Sequence, residues 1–190
     1  MNSKLLFKVA YLICRVLFIL IIPIALYGVL YHIAYIFFPN SSFAASFGNF
    51  EPIYSYLTIE FERQPDIFMQ ADLRILSFIS EVSLFILVLG ILRMVDKLFQ
   101  NVYKNSLFMK ENVNLFYRIG ILILSLGTIF FYIDGLIFDK TIEGLNITNA
   151  SIEFSNLSYI DTIISGIAFL LIGAALKVAV KAVEENKYTI

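Results

Sequence analysis

An all-α integral membrane protein, with four transmembrane helices and a small extracytoplasmic β element, is what this sequence predicts, and three observations carry the prediction. Of 190 residues, 59% are hydrophobic and only 15% charged, with a mean hydropathy of +0.83, more apolar surface than a soluble core of this length can hide. The apolar residues gather into four long stretches, at about 14–38, 75–99, 119–138 and 159–180, each able to cross a roughly 30 Å hydrocarbon layer. The basic residues alternate in density between the segments that join them, and the densest basic cluster lies in Gln100–Arg118, which carries Lys104, Lys110 and Arg118 just after Arg93 and Lys97. Short basic loops stay on the cytoplasmic side of a membrane, so this loop orients the whole chain.

Met1–Arg15 is a short amphipathic lead with Lys4, Lys8 and Arg15, and no further charge occurs until Glu51. The apolar run Val16–Phe38 is 23 residues, too long for a signal-peptide core, and no small-x-small cleavage site closes it, so it reads as a retained helix. Pro23 removes one backbone hydrogen bond inside it and is expected to bend it, and Pro39 stops it. Cys14, the single cysteine, cannot form an internal disulfide and reads as a small buried hydrophobe.

Residues Asn40–Arg74 turn acidic, with Glu51, Glu60, Glu62, Asp66 and Asp72 against Arg63 and Arg74. Within them Ile53, Ser55, Leu57, Ile59 and Phe61 alternate with Tyr54, Tyr56, Thr58, Glu60 and Glu62, the period of a strand with one covered face, ended by Pro65. The second span, Ile75–Phe99, is interrupted only by Glu81 before Arg93, and the third, Ile119–Phe138, carries only Asp134. In the second outer segment, Asp139–Ser158, Leu145 and Ile147 face Ile152 and Phe154 across Asn149 and Ala150, the pattern of a short hairpin that would cap the bundle beside the first strand. The fourth span starts near Tyr159 and continues as a helix bearing Lys177, Lys181 and Lys187; Gly166, Gly173 and Ala174 within it predict close helix packing. Of 14 Lys and Arg, three (Arg63, Arg74, Lys140) fall outside and the rest inside, which predicts a multi-pass membrane protein with both termini in the cytoplasm.

The stretches LFQNVYKNSLFMKENVNLFYRIGILILSLG and GIAFLLIGAALKVAVKAVEENKYTI resemble the bacterial membrane protein family catalogued as domain of unknown function 2975. That family is similar in size and span number. Its central loop carries a Lys-Gly, Phe, Glu-Asn-Val pattern, matched here by Lys104, Phe108, Glu111, Asn112 and Val113, and its tail is matched by Glu184, Glu185, Asn186, Thr189 and Ile190. Asn105 replaces the glycine, as a residue that tolerates a left-handed turn, and Met109 replaces a capping Thr or Ser, so Ser106 is the expected source of the capping oxygen. The resemblance implies a membrane protein whose gene lies beside that of a small helix-turn-helix regulator, and hence signalling through a cytoplasmic protein partner. The surface it marks is Lys104, Phe108, Lys110, Glu111, Asn112, Glu184, Glu185, Thr189 and Ile190; the alternative is that Glu111, Asn112 and the tail merely pin the loop to the C-terminus.

Four polar residues define a second candidate site inside the membrane. His32, Glu81 and Asp134 fall roughly 6 to 9 Å below the outer surface at 1.5 Å per residue, and Asp161 enters the same layer from the fourth helix. Acidic groups there are expected to face the bundle or a wet crevice. They would form either a cation or proton site or interhelical hydrogen bonds. One histidine with scattered carboxylates lacks the ligand spacing of a zinc or copper site, and no nucleophile-base motif or cofactor fingerprint is present, so neither a metal, a cofactor nor an enzyme activity is predicted. The net charge of −1 argues against direct nucleic-acid binding. Three readings remain: a regulator or sensor, a small transporter or channel-like subunit using the intramembrane acids, and a self-immunity protein whose acidic outer loops attract a cationic membrane-active peptide.

The orientation is tested by cysteine labelling in the Cys14→Ser background. Single cysteines at Ser42 and Ser155 are expected to react with an impermeant reagent in intact cells and one at Ser106 is not; labelling at Ser106 overturns the orientation.

Overall fold

The computed structural model describes residues 3–54, 64–145 and 157–187. Its elements are α1 (Ser3–Phe37), a single turn α2 (Ser42–Ala45), a 3-10 turn at Asp66–Met69, α3 (Ala71–Lys104), α4 (Lys110–Leu122), α5 (Thr128–Gly144) and α6 (Leu157–Lys187). One π turn, Ile123–Gly127, joins α4 and α5 into a continuous rod. Four helical stretches are long and apolar enough to cross a membrane: Lys4–Phe37, Ala71–Lys104, Lys110–Gly144 and Tyr159–Asn186. The chain is therefore a multi-pass membrane protein. Each helix overruns its apolar stretch: α3 has 34 residues, about 51 Å at 1.5 Å each, so its charged ends stand clear of the hydrocarbon. α1 continues through Pro23 and stops ahead of Pro39.

The spans pack side by side in chain order. α1 lies along α3, α3 lies along the third rod, and the third rod lies along α6, while among the described residues α1 and α6 do not pack on each other. α3 meets the third rod mainly through α5 and α6 meets it mainly through α4, with the π turn touching both neighbours. The result is an open bundle in which the third rod is the most enclosed span and α1 the least. Most of α1's large apolar side chains, from Leu5 to Leu30, are exposed by the protein and available to lipid.

Two packing modes hold the row together. Between the third rod and α6 the helices approach through glycines: a Cβ on Gly120 would lie 2.8 Å from the Gly166 carbonyl oxygen, one on Gly166 2.5 Å from Leu124 Cγ, and one on Gly127 2.7 Å from Thr162 Cγ2. The glycines sit seven residues apart on each helix, Gly120 with Gly127 and Gly166 with Gly173, so each pair returns to the same face after about two turns. Below this seam Val113, Leu176 and Val180 form a small core, and Phe116 stacks on Phe169 with centroids 6.1 Å apart.

Between α1 and α3 the contacts are aromatic and charged. Phe7 meets Phe99 and Tyr11 meets Tyr103 at the end carrying the α3–α4 connector, where the Arg15 guanidinium also lies 3.3 Å from the buried Asp96. Asp96 is further approached by Arg93 at 3.6 Å.

At the opposite end the described residues form an aromatic cap, and the predicted β element finds no support in them. No strand occurs among the described residues. In the first segment Ile53, placed on the covered face by its alternation, is 65% exposed, whereas Tyr54 turns inward, its ring against Phe138 and its hydroxyl donating to Thr141 Oγ1 at 2.8 Å. The predicted strand from Ser55 onward lies outside the described residues. So do the hairpin residues Ile147, Asn149, Ala150, Ile152 and Phe154. The start of that second segment, Asp139–Gly144, is the last part of α5, and Leu145 is its C-cap.

Large rings order the described part of the cap. Phe50 and Phe68 are each 1% exposed and pack with Ala34, Tyr35, Leu73 and Ile137 over the ends of α1, α3 and α5. Tyr31 stacks on Phe50 at 5.7 Å and its hydroxyl accepts from the Glu51 N–H at 2.8 Å, so the backbone is satisfied by side chains. Tyr35 bonds the carbonyl of Gly48, whose φ of +88° lies in the left-handed region that glycine adopts freely.

Gly120→Ala is the sharpest test of the glycine seam, because its new Cβ meets a backbone oxygen that no rotamer change can move. Destabilisation of about 1–3 kcal/mol, the usual cost of overpacking, is expected in thermal unfolding from detergent micelles. Gly48→Ala, with nothing within 4 Å of its Cβ, is expected to lose stability through backbone strain alone.

Candidate functional site

α1 and α3 bring two of the four predicted intramembrane residues into contact. His32 Nδ1 lies 2.7 Å from Glu81 Oε2 and 3.0 Å from the Gly28 carbonyl, and His32 Nε2 lies 3.0 Å from Ser77 Oγ. The imidazole is 1% exposed. A backbone carbonyl can only accept, so the Nδ1–Gly28 hydrogen bond places a proton on Nδ1. With a neutral ring, Nε2 then accepts from the Ser77 hydroxyl. The helix periodicity supplies this arrangement: Gly28 and His32 are four apart on α1, Ser77 and Glu81 four apart on α3, and each pair shares one helix face.

Gly28 also makes room for the acid. A Cβ there would collide with Glu81 Oε1 and lie 2.9 Å from Glu81 Cδ, so only glycine lets the carboxyl reach the histidine in this rotamer. Rings close the cluster: Tyr31, Phe50 and Phe78 have centroids within 5.2 to 5.9 Å of the imidazole. The arrangement can hold or pass a proton between imidazole and carboxyl, and it can equally act as a polar clamp between two helices.

The other two predicted members are placed differently. Asp134 is 2% exposed on α5, and its charge, after burial itself, is among the influences that raise the Tyr54 phenol above its ordinary value. Asp161 is exposed on α6. It does not face the bundle because α6 turns Thr162, Gly166 and Gly173 toward the third rod, and the residue before Thr162 points about 100° away. Among the described residues no three His, Cys, Asp or Glu side chains come close enough to hold a metal ion.

The connector at the other end is anchored rather than loose. Asn112, 0% exposed, donates to the carbonyls of Ser106 at 3.1 Å and Leu107 at 2.9 Å and accepts from Asn101 at 2.8 Å. Asn101 also donates to Glu111 at 3.0 Å, and Lys97 reaches Glu111 at 2.6 Å. Lys110 then ties the start of α4 to Glu184 near the end of α6 at 3.1 Å. Of the predicted surface, Lys104, Phe108, Lys110, Glu111 and Glu185 are exposed, Glu184 is half-buried, and Asn112 is a buried anchor instead. Thr189 and Ile190 lie outside the described residues. Asn105 takes φ −129°, not a left-handed turn, and Ser106 Oγ accepts from the Phe108 N–H at 3.0 Å rather than capping α4.

Three residues escaped the sequence reading although each left a trace. Ser77 and Gly28 stand one helical turn from the two titratable groups they serve, and Asp96 falls within a turn of Arg93 on the same helix. Compared with protein-family models, with curated proteins and with solved structures, this chain matches none.

A double-mutant cycle tests the part Gly28 plays. Gly28→Ala is expected to lower stability by about 1–2 kcal/mol, the range of an interhelical polar contact in a membrane, and to cost much less in a Glu81→Ala background where the carboxyl is gone. Equal losses in both backgrounds would mean that the carboxyl is not what fills the space.

Proposed function

We propose that this chain is a non-enzymatic regulator or sensor of a bacterial cytoplasmic membrane that docks a cytoplasmic protein at its connector end. The observation that carries the reading is the presentation of Leu107 and Phe108. Both are exposed, at 39% and 47%, yet they stand on a turn whose backbone is held by the buried Asn112. Large apolar side chains held out at the mouth of a membrane protein cost solubility and pay off as contact area for a partner. Because the turn is already ordered, a partner loses little entropy in ordering it. Lys104 and Lys110 flank the apolar pair in the chain, and Lys110 pairs with Glu184, so charge of both signs borders it, as at the rim of a docking surface. The bias of Lys and Arg toward this end supports a cytoplasmic location, and the resemblance to domain of unknown function 2975 supports a small helix-turn-helix regulator as the partner.

A second reading, a small transport subunit, is favoured by the buried His32–Glu81 contact alone. Under it Glu81→Gln abolishes transport at unchanged membrane abundance, because the amide keeps the shape and removes the charge.

Site-directed photo-crosslinking decides the first reading. A photoreactive residue at Lys104 is expected to trap one cytoplasmic protein in wild-type cells, and Phe108→Ser is expected to abolish the adduct while the chain stays in the membrane. Asn112→Ala, which frees the turn, is expected to weaken it. An adduct unchanged by Phe108→Ser, or none in wild type, leaves the connector as a structural turn only.

A further inference from the structure

The cap encloses a second site, built around Arg74. This side chain is 7% exposed, and its donors go to neutral groups: Nε to the Phe68 carbonyl at 3.1 Å, Nη1 to the Tyr35 carbonyl at 3.0 Å and Nη2 to Met69 Sδ at 3.1 Å. The Phe50 ring lies 5.8 Å from its central carbon. A guanidinium has five N–H groups, so these three bonds leave two without a partner among the described residues, where no carboxylate pairs with the charge either. The position makes this more unusual, since Arg74 sits in the first turn of α3, where the helix dipole disfavours a cation and favours an anion.

Arg74 also lines a cavity of ≈ 240 Å³ that opens at the cap surface, together with Tyr35, Asn40, Asn49, Gln64 and Met69. That volume is about eight waters' worth at ~30 Å³ each, too little for a nucleotide and enough for a small organic anion. Gln64 gives one N–H to the Phe50 carbonyl at 2.7 Å, and the second N–H of the same amide is a donor that an anion can use. Among the described residues, no acidic side chain and no second cation line the cavity.

We propose that this cavity binds a short-chain monocarboxylate, held by the Arg74 guanidinium. A single buried guanidinium matches one negative charge and presents paired donors to a planar carboxylate, whereas it neutralises only half the charge of a dianion. Pro39, Ala45 and Met69 supply apolar wall for a short alkyl chain. The site does not depend on the regulatory reading, and it lies at the opposite end of the spans from the connector.

The test uses the full chain in nanodiscs of zwitterionic lipid, titrated calorimetrically with sodium propionate at constant chloride, with propionamide and sodium sulfate as comparison ligands. Saturable propionate binding is expected, with none for the neutral propionamide and weaker binding for sulfate. Arg74→Gln is expected to abolish it; since that change also strips the cap of its anchor, Ala45→Leu, which fills the cavity and leaves Arg74 in place, is the second variant and is expected to weaken binding roughly tenfold or more at an unchanged melting temperature. Absence of saturable propionate binding to wild type, unchanged binding to Ala45→Leu, or sulfate bound as tightly as propionate would overturn the assignment.

Discussion

Hydrocarbon offers no hydrogen bonds, so each polar side chain that the four spans carry into it has to be satisfied by another part of the chain. α1 and α3 meet this demand jointly. Arg15 finds Asp96 toward one end, His32 finds Ser77 and Glu81 further along, and Arg74 finds the Tyr35 carbonyl at the cap. Three polar clamps spaced along one antiparallel pair fix its register, because a shift of either helix by one residue would strand all of them at once. Isolated polar groups on the third rod solve the problem locally: Ser125 bonds the Ile121 carbonyl and Thr141 the Ile137 carbonyl, each four residues back.

The third and fourth spans are joined by a different device. Apolar side chains gain little from meeting each other where lipid is equally apolar, so the association of these helices rests on close backbone approach at Gly120, Gly127 and Gly166. One half of the chain is thus held by polar pairing and the other by van der Waals contact, with α3 touching α1 on one side and both halves of the third rod on the other. The π turn lets one rod serve both neighbours, presenting α5 to α3 and α4 to α6.

Among the described residues, the two ends of the bundle are ordered without regular sheet. At the cap, buried rings and a guanidinium take up backbone carbonyls that a strand ladder would otherwise satisfy, and at the connector the Asn112 and Asn101 amides do the same. Among the described residues both devices leave groups over: two guanidinium N–H at one end and two exposed apolar side chains at the other. The places where interaction is proposed are those leftovers, some 30 Å of hydrocarbon apart.

Hydropathy is a local quantity, and so the number of spans and their approximate limits were legible in the residues themselves, as was the tight packing of Gly166 and Gly173. Alternation misled at Ile53 and Tyr54 because ring size outweighed period: Tyr54 could reach both Phe138 and Thr141, and Ile53 had no comparable pocket. Equal depth placed His32 and Glu81 correctly in one layer, but depth says nothing of helix rotation, which brought those two together and turned Asp161 outward. Asn112 looked like surface because it is polar and lies between charges, and only the fold of the connector buried it. The burial of Arg74 was the least legible of all. Composition counts an arginine at a span's end as an interfacial charge, and what makes it the floor of a cavity is the cap folding back over it from residues more than twenty positions earlier, a contact that tertiary packing alone decides.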